Sequence, residues 1–351
     1  MRVIILHGYS ADNIGDGMLV TEAIELIRST FARERLELTL CASDPESFDL
    51  PGVTMLRSKP GLKGYDRTFL DALRHLDQFD LVVGVGGGYL RGGHCIELAK
   101  ALLVQGPQLT AAAKVGARVV YLPQSIGPLR LGSAPWFRRR LRKLSAVWAR
   151  DDRTVAEIGP FLKRAPDMAV LRVPEREPDQ AVLDLPVMSV RNLRGGLPAP
   201  ILDLATRVGR FDGYVQSQTG SNQDAAPMKS LDPVRIIQPS ELLNDTRPKR
   251  VVIAVRLHAA LMALQAGHYV IHLAYERKGF AAFADLGIGD FVHNAFSFEP
   301  AQVVDQMRTL LTSATARADY DAAINHAIRH QQGILADLAE SLTQAATNQK
   351  R

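Results

Sequence analysis

The chain reads as an α/β protein made of two doubly wound halves and a helical tail. Three observations point there: short apolar runs of strand length, helical patterns between them, and a break near residue 172 beyond which the alternation starts again. Near-continuous apolar strands separated by helices indicate parallel sheets buried on both faces. The length, 351 residues, suits two domains at roughly 150 residues each.

The elements follow in order. Residues 2–6 form a strand and 7–16 a loop. Residues 18–31 form a helix with Leu19, Ala23, Leu26 and Ile27 on one face. Further strands fall at 36–41, 80–85, 117–122 and 145–149. Residues 173–185 hold Pro174 and Pro178 among Glu175, Glu177, Asp179 and Asp184 without an apolar period, and read as a linker. Strands at 186–190, 213–216, 251–255 and 269–274 then alternate with helices at 199–208 and 257–266. Residues 300–347 read as helical, broken near Thr315. The expected domains are 1–172 and 186–315, with a helical tail over 316–351.

Composition excludes several classes. Hydrophobic residues make up 46% and charged residues 23%, which are globular values. Cys41 and Cys95 are too few for a disulfide framework, so a reducing, cytoplasmic setting is expected. The apolar start at residues 3–6 is too short for a secretory signal, and no stretch has the length of a membrane span. Lys and Arg number 42 against 37 Asp and Glu, a net charge of +5 that permits an anionic partner without naming one. The densest basic run is Arg138, Arg139, Arg140, Arg142 and Lys143, following Trp136 and Phe137. It reads either as a solvated helix face or as a contact with anionic headgroups at the inner face of a membrane. No nucleic-acid motif accompanies it.

Parallel strands deliver their carboxyl ends to one edge, where ligands bind. The unusual polar and glycine residues follow strands in just this way. Asn13, Gly15 and Asp16 follow the first strand. Gly86, Gly87 and Gly88 follow 80–85, Gln124 follows 117–122, and Arg150 and Asp151 follow 145–149. In the second half Arg191 follows 186–190, Arg256 and His258 follow 251–255, and Lys278 follows 269–274. The triple glycine suits either an anion at a helix start or a plain tight turn. Asn13 and Asp16 suit a helix cap as well as a ligand contact. Arg256 and His258, two apart on an extended segment, would face one side at the head of a buried Ala- and Leu-rich helix. Such a position needs either a bound anion, helped by the helix dipole, or internal salt bridges with Glu276 and its neighbours. No histidine stands at zinc spacing, and no serine-hydrolase elbow is present, so no metal or cofactor is expected.

These residues resemble the polysaccharide pyruvyl transferases. The resemblance runs in order through Gly8 and Tyr9, Asn13 with Gly15 and Asp16, Gly86 to Gly88, Pro123 to Pro128, Ala149 to Asp151, Ser189 to Arg191, Arg256-Leu257-His258, Gly267, and Tyr275-Glu276 with Lys278. It extends from Gly8 to about Leu286, and Arg256-Leu257-His258 is its most specific part. One departure is His268 after Gly267, where the family often has proline. Residues 220–243, with Ser221, Asn222, Asp224 and Pro227, are hard to align and suit a mobile acceptor loop.

The resemblance implies a GT-B-like fold, two Rossmann-like domains facing across a cleft. It implies transfer of the pyruvyl group of phosphoenolpyruvate to two hydroxyls of a saccharide acceptor, lipid-linked in some cases, in a surface or exopolysaccharide precursor. A cyclic ketal forms and phosphate leaves. Arg150, Arg191, Arg256 and Lys278 would hold the donor and His258 would donate the proton. Asn13, Gly15 and Asp16 would fall on the family's N-terminal loop, nearer the acceptor; Gly87, Gly88 and Gln124 are further candidates for acceptor or loop contacts, and Asp16 or Asp151 is our candidate for the base that takes the hydroxyl proton. The alternatives are a glycosyltransferase or epimerase of the same fold using a nucleotide-sugar, and a non-catalytic anion-binding module.

Overall fold

The computed structural model describes residues 1–177, 181–217, 223–243 and 248–348. Pro178 and Asp179 of the expected linker, and residues 220–222 of the expected acceptor loop, lie outside the described residues. The chain forms two compact units, Met1–Met168 joined by the chain from Gly333 onward, and Ala169–Gln332.

The first unit holds β1 (Arg2–Gly8), α1 (Ile14–Thr30), β2 (Glu37–Ala42), β3 (Val53–Arg57), α2 (Arg67–Arg74), β4 (Leu81–Gly84), β5 (Gly87–Gly92), α3 (Cys95–Lys100), α4 (Gly106–Ala112), β6 (Val119–Leu129), α5 (Ala134–Leu141), β7 (Ala146–Ala149), α6 (Asp152–Ile158) and β8 (Lys163–Arg164). A π-helical turn, Ala101–Gln105, joins α3 to α4. The sheet order is β3-β2-β1-β4-β6-β7-β8, all parallel, with β5 on the outer half of β6. Val3 to Leu6, Leu81 to Val83 and Val119 to Leu122 are buried, as strands covered on both faces must be.

The second unit holds β9 (Val187–Ser189), α7 (Ala199–Val208), β10 (Asp212–Tyr214), α8 (Ala225–Lys229), β11 (Ile236–Ile237), α9 (Pro239–Leu242), β12 (Val251–Ala254), α10 (Leu257–Gln265), β13 (Tyr269–Ala274), α11 (Arg277–Asp285), β14 (Val292–Asn294), α12 (Pro300–Thr312) and the start of α13 (Ala314–Thr347). Its sheet order is β11-β10-β9-β12-β13-β14, again parallel. In both sheets the strand order reverses beside the first strand of the unit. That places a switch point between β1 and β4 in one and between β9 and β12 in the other.

The tail expected over 316–351 is no separate module. α13 leaves the second unit and joins the first at Gly333. Leu338, Leu342 and Ala345 are buried there, Lys163 Nζ donates to Ser341, and Asn348 donates to the carbonyl of Ala117.

One packing contact fixes the head of α11. His272 on β13 is buried, donates from Nδ1 to the Ala254 carbonyl at 2.8 Å, and stacks on Phe283. Gly279 lies so close that a Cβ there would meet His272 Nε2 at 2.4 Å and Ala274 Cβ at 2.9 Å. Gly279→Ala is therefore expected to cost about 1–3 kcal/mol, read as a lower denaturant midpoint at unchanged m-value. An unchanged midpoint contradicts this packing.

Candidate active site

At the carboxyl edge of the second sheet, register brings the basic residues level. Ala254 pairs with Ser189 on one side and His272 on the other. Arg191 and Arg256 therefore leave adjacent strands at the same height, on either side of the switch point. Arg256 is the N-cap residue of α10 and His258 lies in its first turn. Glu276 is the N-cap residue of α11 and Lys278 lies in its first turn. Both helices have the length to present a dipole and free amides to this edge. The extended spacing expected for Arg256 and His258 is corrected here: β12 ends at Ala254, and the pair sits on a helix start instead.

The charges are balanced in a specific way. Arg256 Nε and Nη2 donate to the two carboxylate oxygens of Asp224 at 2.5 and 2.7 Å. Asp224 is 1% exposed and also accepts from the Ser217 amide at 3.2 Å. Burial pushes its carboxyl above the ordinary value, and the Arg256 guanidinium opposes that rise. Arg191 donates to the Tyr275 hydroxyl at 3.0 Å and lies over that ring. Lys278 pairs with Glu276 at 3.1 Å, partly exposed. Of the internal partners expected around Glu276, the sequence supplied that for Lys278. It missed Asp224, 32 positions before Arg256, which no motif marks.

The first unit treats its edge differently. Arg150 is buried, paired with Asp167, and donates from Nε to Ser125 Oγ at 2.9 Å. Ser125 in turn donates to Asp151 at 2.5 Å. Asp151 caps α6, accepting from the Thr154 amide at 2.8 Å. Gly88 lies against the Arg150 guanidinium, where a Cβ would sit 3.3 Å from Nη2. The triple glycine leads into β5 and not into a helix, which corrects the helix-start reading. Its purpose is close approach: a Cβ on Gly86 would meet the Pro123 carbonyl at 2.7 Å. Gln124 is 1% exposed, with its amide beside the Tyr89 hydroxyl. Asn13 holds the N-cap position of α1, earlier than the expected helix start. Its side chain makes no cap bond and donates to Asp16 at 2.5 Å. Gly15 is buried in the same turn.

Beside that edge His7 is buried, bridging Gln105 at Nδ1 and the Tyr121 hydroxyl at Nε2, each at 2.7 Å. No group of acidic, cysteine and histidine side chains fit to hold a metal occurs among the described residues. No helix among them is long and apolar enough to cross a membrane.

A family model described as polysaccharide pyruvyl transferase matches residues 13–277. The chain belongs to that family. Like other transferases, this pyruvyl transferase family member has the GT-B fold, and its structure is similar to several solved ones. A UGT transferase from Siraitia grosvenorii solved with UDP has TM-score 0.56 at 11% identity, covering 100% of both chains. An α,α-trehalose 6-phosphate synthase from Burkholderia multivorans has TM-score 0.54 at 12% identity, covering 99% of this chain and 98% of that one. A UDP-N-acetylglucosamine 2-epimerase from Listeria monocytogenes, described as putative, has TM-score 0.54 at 9% identity, covering 93% and 94%. At these identities the likeness is one of fold. No curated protein matches the sequence.

Burial lowers His7, His268 and His272 from 6.5 to about 4. Unfolding releases each to its ordinary value, so the unfolded chain binds more protons between pH 4 and 6.5. Stability from these groups is complete above pH 6.5 and declines toward pH 4, by at most about 1.4 kcal/mol per pH unit per histidine. Denaturant titrations across this window are expected to show the decline, and His272→Gln should flatten it. A slope unaffected by that substitution contradicts the buried neutral ring.

Proposed function

We propose that this pyruvyl transferase family member moves the pyruvyl group of phosphoenolpyruvate onto two hydroxyls of a saccharide in a surface or exopolysaccharide precursor, releasing phosphate. The observation that carries this is the second sheet's switch point. There two guanidiniums from adjacent strands and two helix N-termini bearing an imidazole and an ammonium share one edge.

Phosphoenolpyruvate carries a carboxylate and a phosphate, and guanidinium forks match either in two-point contacts while an ammonium adds a point charge. Arg191, Arg256 and Lys278 take those roles. Asp224 is the positioning residue: it grips Arg256 and so sets the orientation of the fork. Arg150, given to the donor by the family resemblance, already has its charge met by Asp167. Arg256 is likewise paired, with Asp224, so in this reading Arg150 keeps its donor role and also orients Ser125 and Asp151.

His258 donates its proton to the methylene carbon, which becomes the methyl group, and C2 turns electrophilic. A bound anion favours the imidazolium that this step needs. The first sugar hydroxyl adds to C2 and its proton restores His258. The C2–O bond to phosphate breaks, the second hydroxyl closes the ketal, and its proton leaves by way of a base to the departing phosphate. Asp16 is the better base candidate, since Asp151 is occupied as a helix cap. Asn13, Gly15, Gly87, Gly88 and Gln124 are assigned to the acceptor. The buried Gln124 amide, beside Tyr89, has donor and acceptor capacity left for a sugar hydroxyl. No cofactor or metal enters these steps.

The assay is phosphate release from phosphoenolpyruvate with a panel of nitrophenyl or lipid-linked hexosides. Turnover is expected with at least one acceptor, and His258→Ala should lower kcat by about 10²–10⁴ with the melting temperature kept. Asp224→Asn should raise KM for phosphoenolpyruvate by about tenfold with a smaller effect on kcat. No phosphate across the panel, or an unimpaired His258→Ala, contradicts the reading.

A further inference from the structure

The basic run at 138–143 was one reading of a membrane contact, and the structure shows most of it gripping its own chain. Arg138 donates to the Glu157 carbonyl. Arg140 lies 3.8 Å over the Trp136 ring and donates to Thr110, and Arg142 lies over Phe161. A different exposed apolar surface of the first unit reaches Trp136, at the start of this run.

Gly61 and Gly64 close a tight turn by exchanging backbone hydrogen bonds at 2.9 and 3.1 Å. That turn holds Leu62 and Lys63 at its tip, and Leu62 is fully exposed. The Tyr65 hydroxyl donates to the carbonyl of Leu103, which ties the turn to the π-helical segment. That segment turns Leu102 and Leu103 to solvent, 39% and 55% exposed. From Leu102 a shallow apolar groove runs past Leu70, Leu73 and Pro107 to Trp136. Two leucines presented side by side on anchored backbone, continuous with such a groove, have no internal explanation in packing.

Charge says what covers them. The segments that supply these residues, 59–74, 91–114 and 130–143, carry thirteen Lys or Arg against three Asp or Glu. Lys59, Lys63, Lys100 and Lys114 are exposed and make no ion pair among the described residues. Apolar tips that enter the acyl boundary, ringed by lysines at headgroup level, are the pattern of a surface that lies on an anionic bilayer.

We propose that the Leu62 turn and the Leu102–Leu103 segment dock the protein on membranes rich in anionic phospholipid. The triple glycine precedes this segment by fourteen residues, within the same unit, so docking would hold the unit that carries that loop at the surface of a membrane bearing the acceptor. This last consequence rests on the proposed function; the docking does not.

The test is co-sedimentation of the full chain with vesicles of phosphatidylcholine alone and of phosphatidylcholine mixed with phosphatidylglycerol. Binding is expected to the mixed vesicles only and to weaken as salt screens the lysines. Leu62→Glu with Leu103→Glu should lose at least about tenfold in vesicle affinity while melting temperature stays unchanged. Lys63→Glu with Lys100→Glu should lose a similar amount. The proposal is overturned if the wild-type chain stays in solution with mixed vesicles or if the leucine variant sediments undiminished. It is equally overturned if only Arg139→Glu with Lys143→Glu abolishes binding, which would put the contact on α5. Vesicle binding needs no turnover, so it stands or falls separately from the phosphate assay.

Discussion

The buried carboxylate of Asp224 decides where the guanidinium of Arg256 points. The pair is nearly excluded from water, 1% and 13% exposed at the two side chains, where attraction is strong and geometry is tightly coupled. Losing one partner of such a pair typically costs about 3–5 kcal/mol, because the other charge is left behind without balance. Asp224 also receives the Ser217 amide, so the chain beyond β10 is folded back onto the head of α10. The orientation of the Arg256 guanidinium is thus settled by the fold, as in preorganised sites.

The two sheets share a strand order but use their edges differently. In the first unit the charges close on one another: Arg150 on Asp167, Asp151 on its own helix. In the second, Arg191, Arg256, Lys278 and His258 stand on one edge, with Asp224 paired to Arg256 and Glu276 to Lys278. The shared fold would serve a nucleotide-sugar enzyme equally, because fold does not set chemistry; the distinction rests on these side chains.

Much of this was legible in the sequence. Parallel strands buried on both faces write themselves as unbroken apolar runs, so β1, β4, β6, β12 and β13 were visible, and with them the rule that ligand groups follow strands. Arg191, Arg256, His258 and Lys278 emerged from that rule and stand on one edge. The short outer strand β3, and β5 with its glycines, carry too little apolar pattern to show. Asp224 was invisible for a different reason. Its contact with Arg256 exists only after β9 inserts between β10 and β12, and sequence spacing holds no trace of it. Helical periodicity tells that the tail is helical and amphipathic but not which core receives it; α13 supplies both units.

The most direct measurement is calorimetric titration of the protein with phosphoenolpyruvate and, separately, with a UDP-sugar, repeated on Arg256→Met. The account predicts saturable binding of phosphoenolpyruvate, at least about tenfold weaker without the guanidinium, and no heat from the nucleotide-sugar. Saturable binding of the nucleotide-sugar with none of phosphoenolpyruvate would contradict it.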